Sequence, residues 1–283
     1  MQENTVYHYT SLETFVKIIN DATNESLKFR ATHIDFLNDF TEHTIAASLL
    51  KEKLIEYDNS LDKNDKKDFQ TKLNDNRMSF FKYEEIDDLY PYIISFSECW
   101  DSLPMWNTYG NKSKGIAIGF NKEKLSQIEE YKFEKCVYES KEYEQYLTEN
   151  IKQIHSCLHI DSYSISFSSG FDNNLLKQHY KFLPILKNKS YNYEDEYRLI
   201  IPSKVVEKKE LKFQTSDSLL KPYKEISIPF EYVTEIILGP LINLEKLKTA
   251  LFFLLKQKNK IISLDKEHGK IHLRKSNIPF RDI

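Results

Sequence analysis

Residues 191–200 read "YNYEDEYRLI", and the assignment of this stretch decides how the C-terminal half of the chain is built. Tyrosine, leucine and isoleucine suit a pleated, half-buried surface. The charged residues Glu194, Glu196 and Arg198 alternate with Tyr193, Tyr197 and Leu199. Side chains two apart on a strand share a face, so the pattern predicts a strand with two carboxylates and a guanidinium on one side. Two readings stay open: a solvated face with same-side ion pairs, or charges aimed at one ligand.

Downstream, "KEISIPF", "VTEIILGP" and "KIHLRKS" read as further strands, and "NLEKLKTALFFLLKQKNK" as a helix with one apolar face. Upstream, "YPYIISFSE" and "GIAIGF" are apolar runs of strand length, and residues 131–139 read as another strand. Between the two apolar runs, Pro104 opens a single helical turn. At the N-terminus, "TVYHYT" is a strand running into a helix, with Thr10 as the cap and Glu13 reaching back to it; "LKFRAT" is a second strand. "NDFTEHTIAASLLKEKLIEY" reads as a second helix, and "DNSLDKNDKKDFQTKLNDNR" as an exposed helix or linker. The stretch "DSYSISFSSGFDNN" reads as a loop. The expected fold is α+β: one domain over 1–283 around mixed or antiparallel sheet, with helical insertions around 41–90 and 141–187.

The chain has 283 residues, enough for a substantial core, and no apolar run approaches the roughly 18 residues of a spanning helix. The start "MQENTVYHYT" has no basic segment followed by an apolar one. A cytoplasmic protein without membrane contact is expected. Three cysteines without a C-x-x-C pair suggest neither a disulfide framework nor a zinc site. The six glycines form no G-x-G-x-x-G and no P-loop, so a nucleotide would have to be held otherwise. His155 and His159 flank Cys157 at helical spacing but lack the glutamate of H-E-x-x-H, and no metal is expected. From 241 to 283, ten Lys and Arg stand against four Asp and Glu. This basic segment, with Lys256, Lys258, Lys260, Arg274 and Lys275, could track phosphates.

Several quoted stretches, in order, resemble the bacterial family known as domain of unknown function 2971: "YHYTSLE", "FLNDFTE", "ISFSE", "MWNTYGNKSKGIAIGF", "YNYEDEYRLI" and "VTEIILGP". Phe40 and Tyr191 stand where that family usually has proline and tryptophan. A second resemblance is to ADP-ribosyltransferases. "YHYTSLETFVKII" looks like the opening of the histidine class, in which His8, Tyr9 and Thr10 would sit at the adenosine-side ribose. Arg30, Ser95-Phe96-Ser97 and Glu194-Asp195-Glu196 look like the arginine, Ser-x-Ser and Glu-x-Glu of the arginine class.

That resemblance implies an ADP-ribosyltransferase-like split core and NAD as substrate. Cleaving the N-glycosidic bond builds positive charge on the ribose, which a fixed carboxylate stabilises; Glu196 is the expected group. Glu194 would orient or deprotonate the acceptor nucleophile. Arg30 or Arg198 would fork onto the pyrophosphate, and Trp106 and Tyr109 would stack on a ring. Each residue has a plainer reading. His8 suits a hydrogen-bonded core histidine, Trp106 and Tyr109 suit core packing, Asn38 and Asp39 suit a helix cap, and Arg30 suits pairing with a carboxylate.

The expected function is transfer of ADP-ribose by an intracellular effector of toxin or phage-defence type. Nucleic acid is slightly favoured over protein as acceptor, and an inhibitory antitoxin-like partner is admitted. The alternatives are a non-enzymatic nucleotide or nucleic-acid binding module, and a nuclease holding metal on Asp39, Glu194 and Glu196. As a strand-face carboxylate, Glu196 should tolerate replacement by glutamine with loss of transfer and little loss of stability.

Overall fold

The computed structural model describes residues 4–37, 42–73, 79–80, 91–160, 164–167, 181–203, 206, 208–216, 219–265 and 270–280. Its strands in chain order are β1 (Thr5–Thr10), β2 (Ser26–His33), β3 (Ser79–Phe80), β4 (Tyr92–Ser97), β5 (Ile116–Asn121), β6 (Lys132–Lys135) and β7 (Leu158–Ile160). They continue with β8 (Ser164–Phe167), β9 (Glu196–Ile201), β10 (Lys212–Ser216), β11 (Leu219–Pro229), β12 (Val233–Leu238), β13 (Ile262–Ser263) and β14 (Ile271–Lys275). Eleven form one sheet, along β10-β11-β2-β4-β1-β5-β12-β14-β13, with β9 added to β4 and β6 to β9. Its pairs are antiparallel except β12 with β14 and β13 with β14. The protein is therefore α+β around a mostly antiparallel sheet.

The sheet divides at β4. Strand β9 pairs with β4 from Tyr92 to Ser97 and occupies one of its edges. A strand has only two edges, so β1 and β2 share the other. Strand β2 pairs at Ile93 and Tyr92, β1 at Ser97. Between those contacts β1 and β2 part, and the middle of β4 faces a gap.

Alternation assigns the two sheet faces. Leu27, Phe29 and Ala31 of β2, Ile94 and Phe96 of β4, and Ile118 and Phe120 of β5 point into the main core. The core is closed by Phe15, Ile18 and Ile19 of the helix Leu12–Asn20 and by Leu251 and Leu255 of the helix Leu244–Lys256. Each such side chain contributes about 1.5–3 kcal/mol when fully buried. The opposite face is covered in two places. Met105 and Trp106 pack on Tyr7, Tyr9, Ala117 and Ile237. The helices Glu42–Ser60 and Lys141–Cys157, through Leu50, Leu54, Leu147 and Ile154, form a cluster with Ile93 and Ile200. These two helices thus pack on each other and on this face.

Three expectations change. Ser11, not Thr10, caps the first helix, its hydroxyl accepting from Thr14 N; Thr10 is the last residue of β1. Residues 164–167, expected as loop, are strand β8. Glu194 is not in a strand: it ends a 3-10 segment, Lys189–Glu194, and β9 starts at Glu196. Gly115 is demanded by contact, because a Cβ there would lie 2.2 Å from the Thr10 carbonyl oxygen.

Candidate functional site

Between the two covered patches lies a cavity of about 260 Å³. Its floor is the strip where the strands diverge: Arg30 and Thr32 of β2, Ser95 of β4, and Glu196 and Arg198 of β9. The gap in the sheet leaves the Ser95 carbonyl without a neighbouring strand, and His8 fills that place, with its Nδ1 2.9 Å away. A carbonyl oxygen only accepts, so Nδ1 carries the hydrogen. Burial pushes the His8 pKa down, against the opposing pull of the Ser95 carbonyl. The ring is therefore neutral near pH 7, with Nε2 left as an acceptor. Phe29 and Phe96 hold it edge-on.

At the other end the two carboxylates meet a cation absent from the sequence reading. Lys187 Nζ lies 2.5 Å from Glu194 Oε2 and 2.7 Å from Glu196 Oε2. Arg198 forks onto Glu196, Nε to Oε1 at 2.9 Å and Nη2 to Oε2 at 3.1 Å, and its Nη1 donates to the Pro184 carbonyl. Tyr109 donates to Glu194 Oε1 at 2.8 Å. Lys187, Glu194, Glu196 and Arg198 are all buried, which removes the solvated-face reading.

Glu194 and Glu196 point the same way for a reason other than strand alternation. Asp195 between them is left-handed, φ 41°, and turns the chain from the 3-10 segment into β9. Lys135 holds the Asp195 carboxylate at 2.8 Å, and Glu98 N donates to the Asp195 carbonyl. Ser97 supports the turn from beneath: its hydroxyl donates to the Glu194 carbonyl and accepts from Cys99 N.

These surroundings drive the two carboxyls apart. Burial alone would raise Glu196, but the Arg198 guanidinium and Lys187 ammonium pull it down to about 2. Glu194 shares Lys187 and has no guanidinium, so burial wins and its pKa is raised. The linkage has opposite signs for the two. Glu196 contributes stability above its ordinary 4.5, and that contribution is lost as pH falls from 4.5 toward about 2. Glu194 contributes stability at acid pH, which is lost as pH rises through its elevated value. Thermal unfolding should therefore show a maximum on the acid side of neutrality, falling steeply below pH 4.5. Glu194→Gln should flatten the alkaline slope and leave the acid one; an unchanged profile would refute the assignment.

Of the residues expected at the site, His8, Tyr9, Arg30, Ser95, Tyr109, Glu194, Glu196 and Arg198 line this cavity. The others do not. Trp106 is wholly buried, its indole N–H donating to Asp101 and its ring edge-on to Tyr9, so it presents no face to a ligand. Thr10 and Ser97 are buried outside the lining. Asn38 and Asp39 lie outside the described residues. Arg198 is committed to Glu196 and to the Pro184 carbonyl. The Arg30 guanidinium donates to Gln214 and lies 4.9 Å from the Tyr223 ring centre. Among the described residues neither Arg30 nor Lys221, which also lines the cavity, pairs with a carboxylate.

The sequence reading missed Lys187, Gln214 and Lys221. The one available signal was a lysine closing the apolar run "FLPILK". A divalent metal between Glu194 and Glu196 would have to displace Lys187 Nζ, and among the described residues no three His, Cys, Asp or Glu side chains gather as a metal site. His155 instead pairs with buried Asp58 at 2.9 Å.

The family model described as "Protein of unknown function (DUF2971)" matches residues 105–199. The DUF2971 match takes in Tyr109, Lys187, Glu194, Glu196 and Arg198, the carboxylate end of the cavity. His8, Arg30 and Ser95 lie outside it. No curated protein and no solved structure matches the chain significantly. No helix among the described residues is long and apolar enough to cross a membrane.

Proposed function

We propose that the cavity binds NAD and that the protein transfers ADP-ribose from it to a macromolecule, on an ADP-ribosyltransferase-like split core. The observation that carries this reading is one pocket lined by a carboxylate held ionised at neutral pH, a second carboxyl with a raised pKa and a neutral histidine, together with Arg30 and Lys221, which pair with no carboxylate among the described residues. Carboxyls driven apart by their environments divide the work of fixed charge and proton exchange. Glu196 supplies negative charge where the ribose becomes cationic, and Glu194 takes up a proton. The His8 Nε2 accepts from a ligand hydroxyl. The cavity falls just below the roughly 300–1,000 Å³ of drug-sized ligand sites. It accommodates one ring and its ribose, and the pyrophosphate lies over Arg30 and Lys221, replacing a glycine-rich loop.

The acceptor reading shifts toward protein. Three of the ten Lys and Arg after residue 241 are engaged within the fold. Lys258 caps the first helix through the Asn20 and Ala22 carbonyls. Arg274 forks onto Glu235 and lies 3.9 Å from the Trp100 ring centre, and Lys260 sits over Phe230.

Labelled NAD incubated with the protein and a bacterial lysate tests the function. Label on a protease-sensitive product supports it, and label on a nuclease-sensitive product redirects the acceptor. Absence of both label and free nicotinamide refutes transfer; NAD binding alone would leave a nucleotide-binding module. Arg30→Ala should weaken NAD binding about 10–100-fold, the loss of a charge-assisted contact of about 1.5–3 kcal/mol. Because Arg30 is exposed, the melting temperature should not move. Calorimetric titration measures the first and scanning calorimetry the second.

A further inference from the structure

We propose that Tyr109 relays the acceptor's proton to Glu194, a step that rests on the transfer reaction proposed above. The Glu194 side chain is 3 % exposed. Its Oε2 is held by Lys187, and its Oε1 accepts the Tyr109 hydroxyl at 2.8 Å. Glu194 borders the cavity but shows it almost no surface, and the Tyr109 hydroxyl covers its Oε1. Tyr109 is half-buried and lines the same cavity, at the end of the helix Leu103–Thr108. The route from cavity to carboxylate therefore runs through its hydroxyl.

In the step, the acceptor's lone pair forms a bond to ribose C1′, and the electron pair of the C1′–N bond leaves with nicotinamide. The acceptor's proton passes to Tyr109 Oη while the Tyr109 proton passes to Glu194 Oε1. The groups facing Glu194 are Lys187 ahead of the 3-10 segment, Glu196 with Arg198 behind it on β9, and Tyr109 itself. Lys187 keeps Glu194 ionised enough to accept, and burial beside Glu196 raises its appetite for the proton. Burial also raises the Tyr109 phenol, so it passes one proton as it receives another and never stands as a phenolate.

Tyr109→Phe keeps the ring and removes the relay oxygen. It should slow transfer about 100-fold, the scale of a general-base contribution, with NAD affinity by calorimetry unchanged. Glu194→Gln should cost a similar factor, and the double variant should be no slower than either single, because both interrupt one route. The acid limb of the rate profile should disappear in Glu194→Gln, a change that lost packing would not produce. Tyr109→Phe at the wild-type rate, or a double variant showing the product of two independent losses, overturns the relay and leaves transfer standing. A wild-type protein that neither binds NAD nor releases nicotinamide overturns the transfer reading and the relay with it.

Discussion

Replacing Glu196 by glutamine should destabilise the protein by about 3–5 kcal/mol, the range for removing one partner of a buried ion pair. At an exposed strand face the same change would cost little stability. Glu196 is instead 3 % exposed, and its carboxylate answers two cations, Arg198 and Lys187. An amide keeps the volume but removes the negative charge that Arg198 and Lys187 share. At about 2–4 °C per kcal/mol for a chain of this size, melting should fall by about 10 °C. Scanning calorimetry at neutral pH measures this. The destabilisation should vanish at pH 2, where the wild-type carboxyl is itself partly protonated, its value being about 2. A melting temperature within about a degree of wild type would mean that the buried tetrad does not exist as described. Loss of transfer in this variant would not by itself identify a catalytic group, which is why Arg30 and Tyr109 carry the functional tests.

Lys187→Met should show the complementary behaviour. Methionine fills the space of the lysine stem, but its removal of the ammonium leaves Glu194 and Glu196 sharing a site with only Arg198 to offset them. A loss of about 3–5 kcal/mol is expected at neutral or alkaline pH. Two carboxylates so placed cannot both stay ionised cheaply, so the folded variant should bind a proton more tightly than the unfolded chain does. By linkage its deficit should shrink as pH falls toward the ordinary carboxylate range. Adding Glu194→Gln should recover much of the loss, because the surviving Glu196 keeps Arg198. Urea unfolding of the single and double variants at two pH values checks both statements. A deficit independent of pH and unrelieved by Glu194→Gln would show that Lys187 acts by packing alone.

Much of the scaffold could be read from local pattern. The apolar runs "YPYIISFSE" and "GIAIGF" became β4 and β5, "VTEIILGP" became β12, and "TVYHYT" became β1. Period-two alternation also separated the faces: Phe29 and Ala31 face the core, and Arg30 and Thr32 face the cavity. The pairing of Glu194 with Glu196 was legible too, although for the wrong reason. The alternating pattern suggested a continuous strand, while the structure interrupts it with left-handed Asp195. Aspartate is one of the few side chains that enters the left-handed region readily, but the contacts that hold Asp195 there, from Lys135 of β6 and Glu98 beyond β4, are distant in sequence.

By itself the sequence determined which segments extend or coil, which residues can carry charge or donate protons, and the absence of a glycine-rich phosphate loop. Those properties are covalent or depend on neighbours within a few residues. Only the tertiary structure decided what each charge does. His8 meets the Ser95 carbonyl 87 residues away, and Tyr109 meets Glu194 at a separation of 85. Lys187 reaches both carboxylates from a segment whose backbone is bridged to Val137, and Arg198 is spent on Glu196. Protonation and pairing follow from burial and from distances of a few ångströms, and those quantities come into existence only when the sheet has divided at β4 and the helices have closed over its two ends.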